Sequence, residues 1–247
     1  MEQQVEFLIC GAQKAGTTAL ADYVNLHPDL HIPRQKEIHF FDNEDLDWKK
    51  TDIDQYHKHF RTHTGPQHWG EATPIYMYWD RSPKRIWRYN PGMRIVVVLR
   101  NPITQAYSHW AMETERGAER LSFDEAIKRE EERCREALPF QHRVFSYCDR
   151  GYYCAQLRRL WHFFGREAVL VLRQEDLYSN PEPSLAQLWR HLGVGEINGI
   201  QPHQRHLGRY RAAMSETTKA KLKSLFQHEI HQLEDLLNWD CSAWLEN

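Results

Sequence analysis

Phe7-Leu8-Ile9-Cys10-Gly11-Ala12-Gln13-Lys14-Ala15-Gly16-Thr17-Thr18 is the stretch on which the reading of this chain turns. A short apolar run ends in Gly11; Lys14, Gly16, Thr17 and Thr18 follow, and a helical pattern begins. That is the order of a strand, a tight loop and a helix N-terminus. Backbone N–H groups at such a turn, with the helix dipole behind them, attract a phosphate-like anion. Gly11 and Gly16 keep the spacing G-x-x-x-x-G, but Thr17 stands where a nucleotide triphosphatase carries lysine. The lysine of the loop is Lys14, inside it. A cation there reaches past the bound phosphate to the bond being broken, which suits group transfer better than hydrolysis of a Mg-nucleotide. An ordinary turn between strand and helix would use the same glycines, so this segment alone leaves both readings open.

Size and charge narrow the choice. A chain of 247 residues suits a single domain over residues 1–247 and is long enough to bury a sizeable core. A formal charge of −2 supplies no field for nucleic acid or an anionic membrane, so any anion site must be local. No apolar stretch approaches the roughly 20 residues of a membrane span, and Met1-Glu2-Gln3-Gln4 lacks the basic start of a secretory signal. The five cysteines (Cys10, Cys134, Cys148, Cys154, Cys241) include no C-x-x-C pair, and reduced thiols in the cytoplasm are expected. The fifteen histidines match no standard ligand spacing at His57/His59, His203/His206 or His228/His231, so no metal site is expected. Oligomeric state has no signal in the sequence.

Three aliphatic runs, at residues 5–10, 95–99 and 168–172, have the continuous apolar character of buried parallel strands. Helical patterns follow at 17–25, 102–116 and 180–192, with further helices expected at 122–135 and 152–164. Ser122 and Glu125 make a capping box. Residues 215–237 form a long amphipathic pattern with Leu222, Leu225, Phe226, Ile230, Leu233 and Leu237 on one face. Strands alternating with helices predict an α/β fold, a P-loop-like three-layer sandwich whose mostly parallel sheet is flanked by helices. Ligands gather at the carboxyl ends of strands in such sheets. The loop after Cys10 and the loop after Leu99 therefore share an edge. At that edge Asn101 is a good N-cap, Pro102 a good first helical residue, and Arg100 points toward whatever the first loop binds, with Ser108 two turns on. A strand-end arginine paired with a carboxylate is the competing reading of Arg100.

Together these segments resemble the sulfotransferases that use 3′-phosphoadenosine 5′-phosphosulfate (PAPS), especially the heparan sulfate branch and its bacterial relatives. Residues 11–20 are similar to the family's loop for the 5′-phosphosulfate. Residues 94–102, running on to Ala106-Tyr107-Ser108-His109, are similar to its 3′-phosphate site. Lys36-Glu37-Ile38-His39-Phe40-Phe41 matches the Lys-Glu-x-x-Phe-Phe segment whose glutamate serves as catalytic base. Glu71-Ala72-Thr73-Pro74, Gly151-Tyr152-Tyr153 and the strand ending in Glu175-Asp176-Leu177 are further matches.

The resemblance implies PAPS as donor, adenosine 3′,5′-bisphosphate (PAP) as product and no metal. It gives Gly11, Lys14, Ala15, Gly16, Thr17 and Thr18 to the phosphosulfate and Arg100 and Ser108 to the 3′-phosphate. Arg205 and Arg209 are candidate donor contacts, with solvated loop cations as the other reading. Lys14 stabilises the leaving phosphate and Glu37 is the base, with His39 competing or assisting. In an extended segment Glu37 and His39 would face the same way. Gln13, Lys36 and Glu71 are candidates for contact with a small-molecule or carbohydrate acceptor, Lys36 alternatively supporting Lys14. No N-terminal anchor is seen, which leads us to expect a soluble, bacterial-type enzyme. Aromatic residues from Trp48 to Trp87 either stack on an acceptor or fill a core. Against the sulfotransferase stand a P-loop kinase, which lacks both the lysine after Gly16 and an acidic strand end for Mg, and a nucleotide-binding protein without chemistry.

Overall fold

The computed structural model describes residues 4–60, 68–197, 199–200 and 214–246. Five strands, β1 (Val5–Gly11), β2 (Leu30–His31), β3 (His68–Ala72), β4 (Arg94–Leu99) and β5 (Val169–Arg173), form one sheet in the order β2-β3-β1-β4-β5. Every pairing is parallel; Leu8 lies opposite Ile95, and Val97 opposite Val171. The first helices are α1 (Thr17–Val24), α2 (Asp54–His57), α3 (Ser82–Tyr89), α4 (Pro102–Glu115) and α5 (Phe123–Glu136). Then come α6 (Tyr153–Phe164), α7 (Gln174–Ser179), α8 (Pro181–Leu192), α9 (Glu216–Leu237) and α10 (Ala243–Glu246). The parallel sheet flanked by helices is the P-loop-like α/β architecture that the alternating pattern predicts.

The chain divides into two compact units, Met1–Leu99 with Arg159–Arg205, and Arg100–Arg158 with His206–Asn247. The first holds the whole sheet. Its middle strands are buried on both faces: Leu8 and Ile9 of β1 and Ile95 through Leu99 of β4 are inaccessible to solvent. This is why they read as unbroken aliphatic runs. At the end of the sheet β5 keeps Leu170 and Val171 half-buried, as one open side requires. The loops that leave β1 and β3 emerge at the carboxyl edge.

In the second unit, the Asn101 side chain accepts from Ile103 N at 2.9 Å and donates to the Trp244 carbonyl at 2.9 Å, so the cap of α4 also ties down α10. Ser122 and Glu125 form the expected capping box on α5. Along α9, Leu222, Phe226, Ile230 and Leu233 are buried as the periodicity requires, whereas Leu225 is exposed and Leu237 only half-buried. Among the described residues no helix is long and apolar enough to cross a membrane, and none of the five cysteines forms a disulfide.

Candidate active site

The loop between β1 and α1 is shaped by two glycines for different reasons. A Cβ on Gly11 would lie 2.5 Å from Sδ and 2.7 Å from Cβ of Met77, so only glycine lets these backbones approach. Gly16 sits at φ 94°, in the left-handed region, and caps α1 without any side-chain hydrogen bond. No acidic residue occupies the first turn of α1. With neither a side-chain cap nor an acidic residue in its first turn, the start of α1 suits an anion. Ala12 N donates to the Val98 carbonyl at 2.7 Å, pinning the start of the loop to the end of β4. Lys14 is half-buried and left-handed, with φ 68°. Thr17 is buried, Thr18 exposed, Ala15 inaccessible and Gln13 half-buried.

The Lys36–Phe41 segment crosses the same edge at the end of β3, where Glu37 N donates to the Ala72 carbonyl at 3.1 Å. It is not the extended segment expected. Glu37 and His39 both lie in the left-handed region, with φ 55° and 56°. Their side chains meet all the same: Glu37 Oε2 is 3.5 Å from His39 Nε2. On the other side of the ring, His39 Nδ1 is 3.0 Å from Oδ2 and 3.2 Å from Oδ1 of Asp42, a carboxylate with no solvent exposure. The Asp42 hydrogen bond, then that of Glu37, hold the His39 imidazole protonated, its pKa raised to about 9 against an opposing effect of burial. Of the four non-glycine residues with positive φ among the described residues, Lys14, Glu37 and His39 belong to these two segments. Each such residue costs on the order of 1–3 kcal/mol, so the strain is concentrated here.

Lys36 joins the two segments. Its ammonium donates to the Thr18 carbonyl at 3.3 Å and lies 3.5 Å from Oδ1 of Asp22, both on α1. It is thereby engaged with the helix of the anion loop, where an acceptor contact or support for Lys14 was expected. Glu71, expected to meet the acceptor, is 1 % exposed and lies inside. Its carboxylate accepts hydroxyl bonds from Tyr56 (2.6 Å), Thr73 (2.5 Å) and Tyr76 (2.8 Å). Burial raises its pKa, and the three hydroxyls oppose that rise. Tyr56, Trp69, Tyr76, Tyr78 and Trp79 fill the core, whereas Trp87 is 41 % exposed.

Arg100 and Ser108 belong to the second unit. Arg100, directly after β4, donates from Nε to Thr104 Oγ1 at 2.9 Å, and Ser108 is buried on α4. Arg205 and Arg209 lie outside the described residues. The sequence reading missed Asp42, whose signal was its place three residues beyond His39. It also missed an apolar recess lined by Gly16, Ala19, Leu20, Gln174, Leu177 and Tyr178, beside the anion loop.

Comparison with known proteins identifies the family and the fold. Residues 4–234 match the family described as the sulfotransferase domain. Human heparan sulfate glucosamine 3-O-sulfotransferase 6 is 29% identical over 199 residues, covering 77% of this chain and 52% of its own length. The chain thus spans about half the length of that relative. The crystal structure of a sulfotransferase from Alicyclobacillus acidocaldarius superposes with a TM-score of 0.84 at 30% identity, over 98% of this chain and 99% of that one. Mouse sulfotransferase SULT7A1 complexed with PAP shares the fold, with a TM-score of 0.53 at 14% identity over 80% of this chain and 60% of its own. With the parallel sheet, the glycine-bounded loop after β1 and a family match across both units, this chain belongs to the sulfotransferase domain family.

Proposed function

We propose that residues 1–247 form one sulfotransferase domain that moves the sulfuryl group of PAPS to a hydroxyl, or an amine, of a carbohydrate, lipid or secondary-metabolite acceptor. The observation that carries this reading is the Lys36 ammonium on the Thr18 carbonyl, which sets the Glu37–His39–Asp42 relay beside the helix of the anion loop. A base and a phosphate cradle that close are the two halves of a group-transfer site.

In this reading the loop of Gly11, Ala15 and Gly16, with Thr17 and Thr18 at the helix start, holds the 5′-phosphate. Arg100 and Ser108, with Arg205 and Arg209, are assigned to the 3′-phosphate. Lys14 stands at the bridging oxygen. As the acceptor oxygen bonds to sulfur, the S–O bond to the phosphate breaks and charge grows on the leaving oxygen. A fixed ammonium there stabilises the transition state more than the ground state. Glu37 takes the acceptor proton. His39, already protonated between two carboxylates, serves as the group that orients Glu37 rather than as the base. The charge is neutralised by Lys14 and backbone donors, with no metal assigned.

Calorimetry with PAP against ATP-Mg tests the donor. Tight binding of PAP and none of ATP-Mg is expected; the reverse preference refutes the proposal in favour of a kinase.

A further inference from the structure

We propose that Tyr76 is a positioning residue for sulfuryl transfer: its phenol oxygen, anchored on the buried Glu71 carboxylate, fixes the backbone that presents Glu37 and His39. This rests on the reading of Glu37 as the base. Tyr76 has no solvent exposure, so its hydroxyl must find partners within the protein. The oxygen accepts two successive amides, Phe40 N at 2.9 Å and Phe41 N at 3.3 Å. Its single proton therefore goes to Glu71 Oε1, 2.8 Å away. Thr73 and Tyr56 also donate to Glu71, leaving that carboxylate an acceptor three times over.

The placement gives this network a purpose beyond packing. Phe40 directly follows His39, and Glu37 and His39 have strained left-handed backbones that relax unless both flanks are held. Upstream, Glu37 N is bound to the end of β3 and Lys36 to α1. Downstream, Tyr76 takes the amides of Phe40 and Phe41, while Ser82 and Arg85 donate to the Phe41 carbonyl at 3.1 and 2.9 Å. The surroundings are aromatic, with Phe40 stacked on Tyr56 and Phe41 edge-on to Tyr76. An apolar side chain in place of Glu71 would pack there without the cost of burying a charge. The carboxylate matters because it aims the Tyr76 proton away from the base segment and leaves the oxygen to receive it.

The test uses Tyr76→Phe and, as a second variant, Glu71→Gln, each with PAP calorimetry as the check on folding. The readouts are the His39 imidazole titration by NMR and PAP release from PAPS with heparan sulfate as the acceptor probe. Expected are PAP affinity within about twofold of wild type, a His39 midpoint lower by about one pH unit or more, and turnover reduced roughly tenfold with little change in KM for PAPS. In a Glu37→Gln background, Tyr76→Phe should change turnover by less than about twofold, because its effect passes through Glu37. An unchanged His39 titration in a variant that binds PAP normally overturns the proposal, as does a full Tyr76→Phe loss repeated in the Glu37→Gln background. Undiminished turnover in Glu37→Gln alone would instead defeat the reading of the base, and the titration would still judge Tyr76. Should Tyr76→Phe fail to bind PAP, Glu71→Gln decides on the same readouts.

Discussion

Replacing Asp42 by asparagine removes the partner that does most to keep His39 charged. The Asp42 carboxylate is inaccessible to solvent and lies 3.0 Å from Nδ1, while Glu37 sits 3.5 Å from Nε2. With both present the imidazole titrates at about 9. Without the Asp42 charge its midpoint moves toward the ordinary value near 6.5. For a complete return, the charged fraction at pH 7.5 falls from about 97% to about 9%. The sign for stability follows from a folded pKa raised above the unfolded one. The contribution of His39 is fully present below about pH 6.5 and is lost as pH rises through about 9. Because the ring is 44% exposed, solvent screening leaves about 1 kcal/mol or less, or some 2–4 °C in Tm for a chain of this length. Imidazole NMR titration and thermal melts at several pH values measure both effects. The pH-dependent gap between wild type and Asp42→Asn should be widest in acid and close above pH 9. A wild-type His39 midpoint near 6.5, or a midpoint that Asp42→Asn does not move, would refute the reasoning.

Three further outcomes are expected. Lys14→Met should lower turnover by roughly 10²–10³-fold, the loss typical for one transition-state donor, while PAP binding by calorimetry changes little; near-normal turnover would remove Lys14 from the mechanism. Gly11→Ala should destabilise the fold by about 1–3 kcal/mol in urea unfolding, since its methyl meets Met77 at 2.5 Å and Met77 N is itself bonded to the Cys10 carbonyl. A wild-type midpoint would show that the Gly11 contact is slack. Glu130 is 6% exposed, accepts amide bonds from Cys148 at 2.7 Å and Asp149 at 2.9 Å, and has its pKa pushed up by burial to about 7. Stability should therefore decline by up to about 3 kcal/mol as pH rises from near 4.5 through 7; Glu130→Gln should flatten that slope, and an identical slope in the variant would assign it to other groups.

What could be read from the sequence follows burial and local chemistry. β1 and β4 stand between other strands, so their aliphatic runs are unbroken and their limits were legible to within a residue. β3 reads His-Trp-Gly-Glu-Ala, without a β-branched residue, and β2 has two residues, so neither carries the pattern of a strand. α3 escaped because only Ile86, Trp87 and Tyr89 interrupt its polar run, and α7 because it starts directly after β5 with no cap to announce it. The β1–α1 loop is local in sequence, so its strand, its glycines and the start of α1 were legible. The pairing of Glu37 with His39 was expected from an extended strand, whereas the chain reaches it through two left-handed residues that no alternation rule describes. Tyr76 and Glu71 act across more than thirty residues on Phe40 and Phe41, so only the folded chain reveals what they hold.

The most direct test of the account is transfer itself. Purified protein is incubated with sulfur-labelled PAPS and heparan sulfate, then with fractions of cell extract, and products are followed by mass spectrometry. The account predicts an acceptor that gains one sulfo group as PAP accumulates, with the gain slowed by about 10²-fold or more in Lys14→Met and Glu37→Gln. PAP binding no tighter than that of ATP-Mg, together with no sulfated product in any fraction, would contradict it.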